Sequence, residues 1–336
     1  MHETNRRYVL AKRPEGVPDK ETFELEETEI PELETGQVLV QTVYLSVDPY
    51  MRDRMRAGES YAEPWDVGDP MQAAVVGRVV DSETDQWDDG DYVTGELDWA
   101  EYTVTDSSAL HPVDPDLAPL STYLGVLGMP GRTAYFGLLE EGKPTPGDTV
   151  VVSGAAGAVG STVVQIASIA GCRVVGFAGS DTKVEYLEEI GADAAINYKQ
   201  TDDYRAALDD AAPEGVDVYF DNVGGPITDA VFTKLNTDAR VAVCGQIAHY
   251  NEEGVVTGPR KLPQLLPVRA TVSGFIVSDY APRFEQATQR LGEWVATGDI
   301  TYRETVTEGL ESAPDAFLGL FEGENIGKQL VKVTDE

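Results

Sequence analysis

Cysteine, histidine and basic residues are all scarce in this sequence. Its 336 residues include 2 cysteines, 3 histidines and 25 lysines plus arginines. Cys172 and Cys244 cannot make a four-cysteine structural zinc site. Each sits beside or within an expected strand, the usual place of a buried, inert thiol. His2, His111 and His249 are far apart in the chain and have no ligand-like partner at useful spacing, so no metal site is expected. No apolar run is long enough to cross a bilayer. The amino-terminal MHETNRRYVLAKRPEG lacks the apolar core of a signal peptide. A cytoplasmic protein without a membrane partner is therefore expected. No basic stripe is visible, which disfavours a nucleic-acid partner.

Acid, by contrast, is in large excess. Asp and Glu number 59 and the formal net charge is −34. The acids are scattered along the chain, as in DSETDQWDDGD from Asp81 to Asp91, and not gathered in one tail. A dispersed negative surface raises solubility and self-repulsion, and concentrated salt screens that repulsion. The size and evenness of the imbalance favour adaptation to a high-salt cytoplasm over an ordinary acidic enzyme. A hydrophobic content of 42% makes the chain globular, and its length suffices for two domains with cores of their own.

Up to about Thr122 the chain reads as β-rich. Gln37–Val47, Gln72–Val80 and Tyr92–Gly95 have strand character, separated by turn signals at Pro31–Gly36 and Asp88–Asp91. From Gly125 helices and strands alternate. Strands are expected near 149–153, 173–178, 194–197, 216–221, 239–244 and 270–275. Helices are expected to fill most gaps, including 128–141, 157–171, 181–191 and 281–298. Such alternation implies a parallel sheet covered on both faces. After Gly298 two strand-like stretches, ITYRETV and KQLVKV, have the character to complete the first region.

The most informative stretch runs from Thr149 to Ser180. Val150, Val151 and Val152 form a β-branched run suited to a strand buried on both faces. Gly154, Gly157 and Gly160 follow three apart, with Ala155 where the fingerprint G-x-G-x-x-G has its first glycine. An apolar helix face and a second strand, from Arg173 to Ala178, come next. Small residues at Ala156, Gly157, Ala158, Val159 and Gly160 let the backbone approach a pyrophosphate, whose charge suits the helix start. The alternative is a glycine-rich turn in some other α/β protein.

The end of the second strand bears on cofactor choice. An acid there binds the ribose of NAD; a 2′-phosphate needs donors or positive charge. Ser180 can donate, and Lys183 lies one turn into the following helix. Asp181 fits either an NAD ribose or a helix start. Asn222, after the strand VDVYF and before two glycines, lies at the carboxyl edge of the sheet, where open α/β folds bind ligands; it also suits a simple turn.

Several segments together resemble the zinc-independent medium-chain dehydrogenase/reductases, in the prostaglandin reductase, leukotriene B4 dehydrogenase and alkenal double-bond reductase group. They are YLSVDPYMR from Tyr44, GMPGRTAYFGLLE from Gly128, VVVSGAAGAVGSTVVQIA from Val150, GCRVVGFAGS from Gly171 and AAINYK from Ala194. DVYFDNVGG from Asp217, VCGQIAHYN from Val243, GFIVSDYAPRF from Gly274 and NIGKQLVKV from Asn325 continue the match over nearly the whole chain. The acidic surface is the departure.

The resemblance implies an α/β fold, a doubly wound Rossmann sheet at 125–298 plus a β-rich GroES-like catalytic domain at 1–124 and 299–336. It implies NADPH, with Lys183 and Tyr198 on the 2′-phosphate and Asn222 near the cofactor. Cys244, Phe275, Ile276, Val277 and Asn325 match cofactor-wall positions, and Thr133 a contact to the nicotinamide amide. Core packing is the plain alternative for the wall residues. Tyr50 and Tyr250 match tyrosines lining the substrate pocket, with Arg52 a candidate to orient the substrate. A homodimer is implied by the family only.

The expected reaction is NADPH-dependent reduction of the carbon–carbon double bond of an α,β-unsaturated aldehyde or ketone, by hydride transfer to the β-carbon. A Tyr hydroxyl aimed at the carbonyl oxygen stabilises the charge that grows there. Quinone reduction, zinc-independent alcohol oxidation and a non-catalytic NADPH-binding role are the alternatives. The charge makes a separate prediction: thermal unfolding followed from low to molar KCl gives a rising midpoint. A flat or falling midpoint removes the high-salt reading.

Overall fold

The computed structural model describes residues 4–58 and 60–336, so His2 lies outside the described residues. In chain order come β1 (Asn5–Leu10), β2 (Phe23–Thr28), β3 (Gln37–Ser46), α1 (Met51–Arg54), β4 (Gln72–Ser82), β5 (Tyr92–Asp98), β6 (Tyr102–Asp106) and β7 (His111–Pro112). Next are α2 (Met129–Phe136), β8 (Thr149–Val152), α3 (Ala158–Ile169), β9 (Arg173–Ala178), α4 (Asp181–Glu189), β10 (Ala194–Asn197), α5 (Tyr204–Ala211), β11 (Val216–Asp221), α6 (Gly225–Val231) and β12 (Leu235–Val243). Then follow α7 (Leu262–Val268), β13 (Thr271–Gly274), α8 (Phe284–Thr297), β14 (Glu304–Glu308), α9 (Ala313–Glu322) and β15 (Lys328–Lys332). The chain divides into two compact units. One comprises Met1–Leu124, Glu304–Asn325 and Gln329–Glu336; the other Gly125–Arg303 and Ile326–Lys328.

The second unit is built on a six-stranded sheet in the order β10-β9-β8-β11-β12-β13. Its neighbouring strands pair parallel throughout. This is the doubly wound Rossmann order, which reverses between β8 and β11. β8 is central, and Val150, Val151 and Val152 are fully buried there. Burying one such side chain contributes roughly 1.5–3 kcal/mol, which explains the unbroken valine run. The reversal leaves a crevice at the carboxyl ends of β8 and β11, so every residue just past those ends is a candidate ligand contact.

The first unit holds a seven-stranded sheet, β14-β15-β3-β4-β5-β7, with β6 also on β3. β3 pairs antiparallel with β4, β6 and β15. Its core includes a ring cluster: Phe23 stacks on Trp99 with centroids 6.1 Å apart. Phe317 meets both edge-on, at 6.1 and 6.2 Å.

Some boundaries differ from the sequence expectations, for local physical reasons. Helix 128–141 is α2 followed by a wider π-helical turn at Gly137–Gly142, ended by Lys143 in the left-handed conformation. Strand 239–244 starts earlier, at Leu235, and carries Asp238 at positive φ. Between the two C-terminal strands lies α9, whose Phe317 joins the ring cluster. Residues 299–303, expected with the first region, belong to the second unit. Gln165 on α3 explains this: its Nε2 donates to Thr301 O at 2.8 Å, and its Oε1 accepts from Thr301 N at 2.8 Å.

Candidate active site

The fingerprint turn is closely packed underneath and open above. Gly154 takes φ +59, and Gly157 caps α3 with extended backbone. A Cβ on Gly160 would lie 2.3 Å from Gly154 O, so only glycine lets α3 come this close to β8. Ala156 is buried, whereas Gly157, Ala158 and Val159 are part-exposed at the amino end of the 12-residue helix. Gly157 also bridges to Gly327, whose N–H donates to Ala156 O at 2.8 Å. Asn325 stands two residues before that contact. Backbone amides and the helix dipole at this point suit a pyrophosphate.

Past the end of β9 the structure separates the roles that sequence left open. Ser180 caps α4, its Oγ accepting from Lys183 N at 3.3 Å. The Asp181 carboxylate accepts from Asn197 Nδ2 at 2.7 Å and Gln200 Nε2 at 3.1 Å, which hold its carboxyl below the usual range. It therefore fastens the Asn197–Gln200 segment. That segment lays the Tyr198 ring over Gly179, where a Cβ would be 2.7 Å from the hydroxyl. Burial, and then the neighbouring charge of Lys199, pull the Lys183 ammonium below its ordinary value. Two lysines crowded in this way favour a ligand that brings negative charge.

Asn222 sits just beyond β11. Its backbone N–H donates to Ser153 Oγ at 2.9 Å and its Nδ2 to Ser153 O at 2.8 Å, tying the ends of β11 and β8. Cys244 follows β12; burial, reinforced by Asp221, pushes its thiol up to about 12. The thiol is therefore inert at neutral pH. Past β13, Phe275 turns inward: its ring meets Phe220 edge-on at 6.3 Å and lies against Gly137. Ile276 is exposed and Val277 half-buried. Thr133 is buried and its hydroxyl donates to Met129 O at 2.8 Å, so the hydroxyl can serve a ligand only as an acceptor. Tyr250 is half-buried after β12; its hydroxyl accepts from Gln246 N at 3.4 Å and stands near Gly245.

On the first unit, Tyr50 caps α1 and packs on the core. Burial, with Asp48 and Glu96 nearby, raises its phenol well above the usual value, so it stays a neutral donor. Arg52 is held inside the unit. It is 2% exposed, and its Nη2 donates to the carbonyls of Gly16 at 2.8 Å and Pro14 at 3.3 Å. It clamps the loop between β1 and β2, which leaves less of the guanidinium for the substrate role expected of it. Arg54, which sequence reasoning passed over, stacks 4.6 Å above Trp65 and donates to Gln72 Oε1 at 2.9 Å.

Comparison with known proteins agrees with this layout. Residues 6–113 match the family described as N-terminal domain of oxidoreductase, and 158–293 the family described as zinc-binding dehydrogenase. The chain is 53% identical over 338 residues to YfmJ of Bacillus subtilis (strain 168), provisionally named an NADP-dependent oxidoreductase, covering 100% of this chain and 99% of that one. It is 44% identical to the NADPH-dependent curcumin reductase of Escherichia coli (strain K12), covering 99% and 98%. The crystal structure of CurA from Vibrio vulnificus in complex with NADPH superposes with a TM-score of 0.94 at 42% identity, covering 98% of this chain and 100% of that one.

The chain belongs to the zinc-independent medium-chain dehydrogenase/reductases. Among the described residues no group of three or more His, Cys, Asp or Glu side chains could hold a metal ion. For this reductase family the residues present fit NADPH: a turn whose inner face excludes even a Cβ, an open helix start, and a lysine pair beside Tyr198. Asp221 was missed by sequence reasoning. It is 1% exposed, and an acid ending the apolar run VYF just before NVGG was the available signal. Lys183→Ala is expected to weaken NADPH by about tenfold or more, the loss of a charged hydrogen bond, with NADH nearly unchanged. Fluorescence titration of both cofactors measures this, and equal wild-type affinities would refute the assignment.

Proposed function

We propose that this enzyme reduces the carbon–carbon double bond of α,β-unsaturated aldehydes and ketones, using NADPH. Tyr250 carries the reading: a phenol placed just past the carboxyl end of β12, its oxygen accepting from the Gln246 N–H at 3.4 Å. The relatives support the substrate class, since one is named curcumin reductase and another, 42% identical from Nicotiana tabacum, 2-alkenal reductase (NADP(+)-dependent). When bound, NADPH supplies the hydride that adds to the β-carbon. The double-bond electrons then move toward the carbonyl oxygen, and Tyr250 donates a hydrogen bond to that growing charge. Such a bond is stronger in the transition state than in the ground state. The α-carbon finally takes a proton from solvent, giving the saturated carbonyl.

In this reading Ser180, Lys183 and Tyr198 hold the 2′-phosphate. The backbone from Ala156 to Gly160 holds the pyrophosphate. Asn222, Cys244, Ile276, Val277 and Asn325 wall the cofactor. Phe275 supports that wall from behind. The first unit is the substrate domain, with Tyr50 a second neutral donor. A cytoplasmic location is supported by the free thiols of Cys172 and Cys244, which reducing compartments preserve.

A homodimer is supported by β13, an edge strand whose Val272 is 42% exposed, and by Leu262 and Leu266 of α7, 74% and 83% exposed. Sedimentation in molar KCl is expected to give twice the chain mass, and Val272→Lys with Leu266→Lys to give the monomer. A monomeric wild type would end the dimer reading.

Tyr250→Phe keeps the ring and removes the donor. Single-turnover reduction of an enal is expected to slow about 10²–10³-fold, roughly 3–4 kcal/mol, with NADPH affinity little changed. Tyr50→Phe and the double variant are run beside it, with quinones and secondary alcohols as rival substrates. Unchanged rates in all three variants would make both tyrosines wall residues. Faster turnover of quinones or alcohols than of enals would replace the substrate class.

A further inference from the structure

Three loops at the carboxyl edge of the parallel sheet meet on one buried carboxylate. Asp221 ends β11 and is 1% exposed. Its Oδ1 accepts from Ser153 Oγ at 3.0 Å, the Tyr219 hydroxyl at 2.9 Å, Val223 N at 3.0 Å and Gly224 N at 2.8 Å. Its Oδ2 accepts from Thr228 Oγ1 at 2.8 Å and Gln246 Nε2 at 3.0 Å. Ser153 directly follows β8 and Gln246 lies in the loop after β12, so side chains from three crossovers converge here. A charge buried this deeply is tolerated only when its lone pairs are filled.

Gln246 lies over Gly224, which takes φ +75 and where a Cβ would be 2.2 Å from Gln246 Oε1. Its Nε2 also donates to Gly245 O at 3.0 Å. The backbone N–H of the same residue reaches the Tyr250 hydroxyl. One glutamine thus links the carboxylate of β11 to the loop that carries Tyr250.

We propose that Asp221 and Gln246 are a positioning pair for the nicotinamide half of the cofactor, strapping the loop after β12 to the end of β11. Neither residue is assigned a contact with cofactor or substrate; they act through Asn222, Gly245 and Tyr250. The sheet order gives the argument its direction. A dinucleotide laid across the reversal has one half beyond β8 and β9 and the other beyond β11, β12 and β13. Lys183 and Tyr198 lie on the first side, after β9 and β10. The Asp221–Gln246 contact lies on the second, while Ser153, past β8, also holds Asp221. Loosening it therefore costs affinity for the whole dinucleotide and leaves the adenosine end alone.

The test compares NADPH with adenosine 2′,5′-bisphosphate, which carries the 2′-phosphate and lacks the nicotinamide half. Gln246→Met keeps the chain length and removes the donor, while Asp221 retains its other partners. NADPH dissociation is expected to rise about 3–10-fold, the loss of one hydrogen bond, with the bisphosphate changed less than about twofold. Asp221→Asn is expected to show the same selectivity, and Gln246→Met in that background to add little, since both remove one interaction. If Asp221→Asn does not fold, Gln246→Met decides alone. Equal weakening of both ligands would mean general loosening and overturn the proposal. So would a lowered unfolding midpoint with unchanged NADPH affinity, or no change in either. The proposal rests on NADPH as cofactor, which Lys183→Ala tests independently: there the bisphosphate weakens too.

Discussion

The cofactor side of the second unit depends on satisfying one buried negative charge. Asp221 is 1% exposed, where an ionised carboxylate lacking partners would cost several kcal/mol. Ser153, Tyr219, Val223, Gly224, Thr228 and Gln246 supply those partners. Those donors are available only if the ends of β8, β11 and β12 are mutually in register. The charge therefore imposes on the loops the same order that it needs for its own solvation. A core of apolar residues alone would tolerate small slips of those loops; a filled carboxylate does not.

The glycine turn works by the opposite means. At Gly160 the constraint is the absence of a side chain, which lets a helix start sit directly on the end of a fully buried strand. Together the two devices leave backbone amides and one phenol at the crevice of the sheet. Both are neutral donors. Two lysines that feel each other's charge, Lys183 beyond β9 and Lys199 beyond β10, lie elsewhere. That division suits a ligand carrying its extra phosphate at one end and its reacting group at the other.

How much of this was legible in the sequence varies with the range of the forces involved. The valine run, the three spaced glycines and the strand–helix alternation are local patterns, and they foretold β8, α3 and β9 closely. The α2 boundary was less legible, because its wide turn at Gly137–Gly142 packs beneath Phe275, more than a hundred residues away. α9 was missed because its apolar face answers Phe23 and Trp99, rings from the other end of the chain. Asp181 could not be assigned before the Asn197 and Gln200 side chains were seen to engage it.

By itself the sequence determined the fold class, the dinucleotide turn and the strongly acidic character, since each follows from composition or from residues within a few positions of one another. Only tertiary structure decided which polar side chains are consumed inside. Arg52 drew attention in the string of letters and Asp221 did not. One donates to the carbonyls of Gly16 and Pro14. The other gathers three loops. The difference lies in what the folded chain brings within about 3 Å of each charged group, the distance at which a hydrogen bond forms.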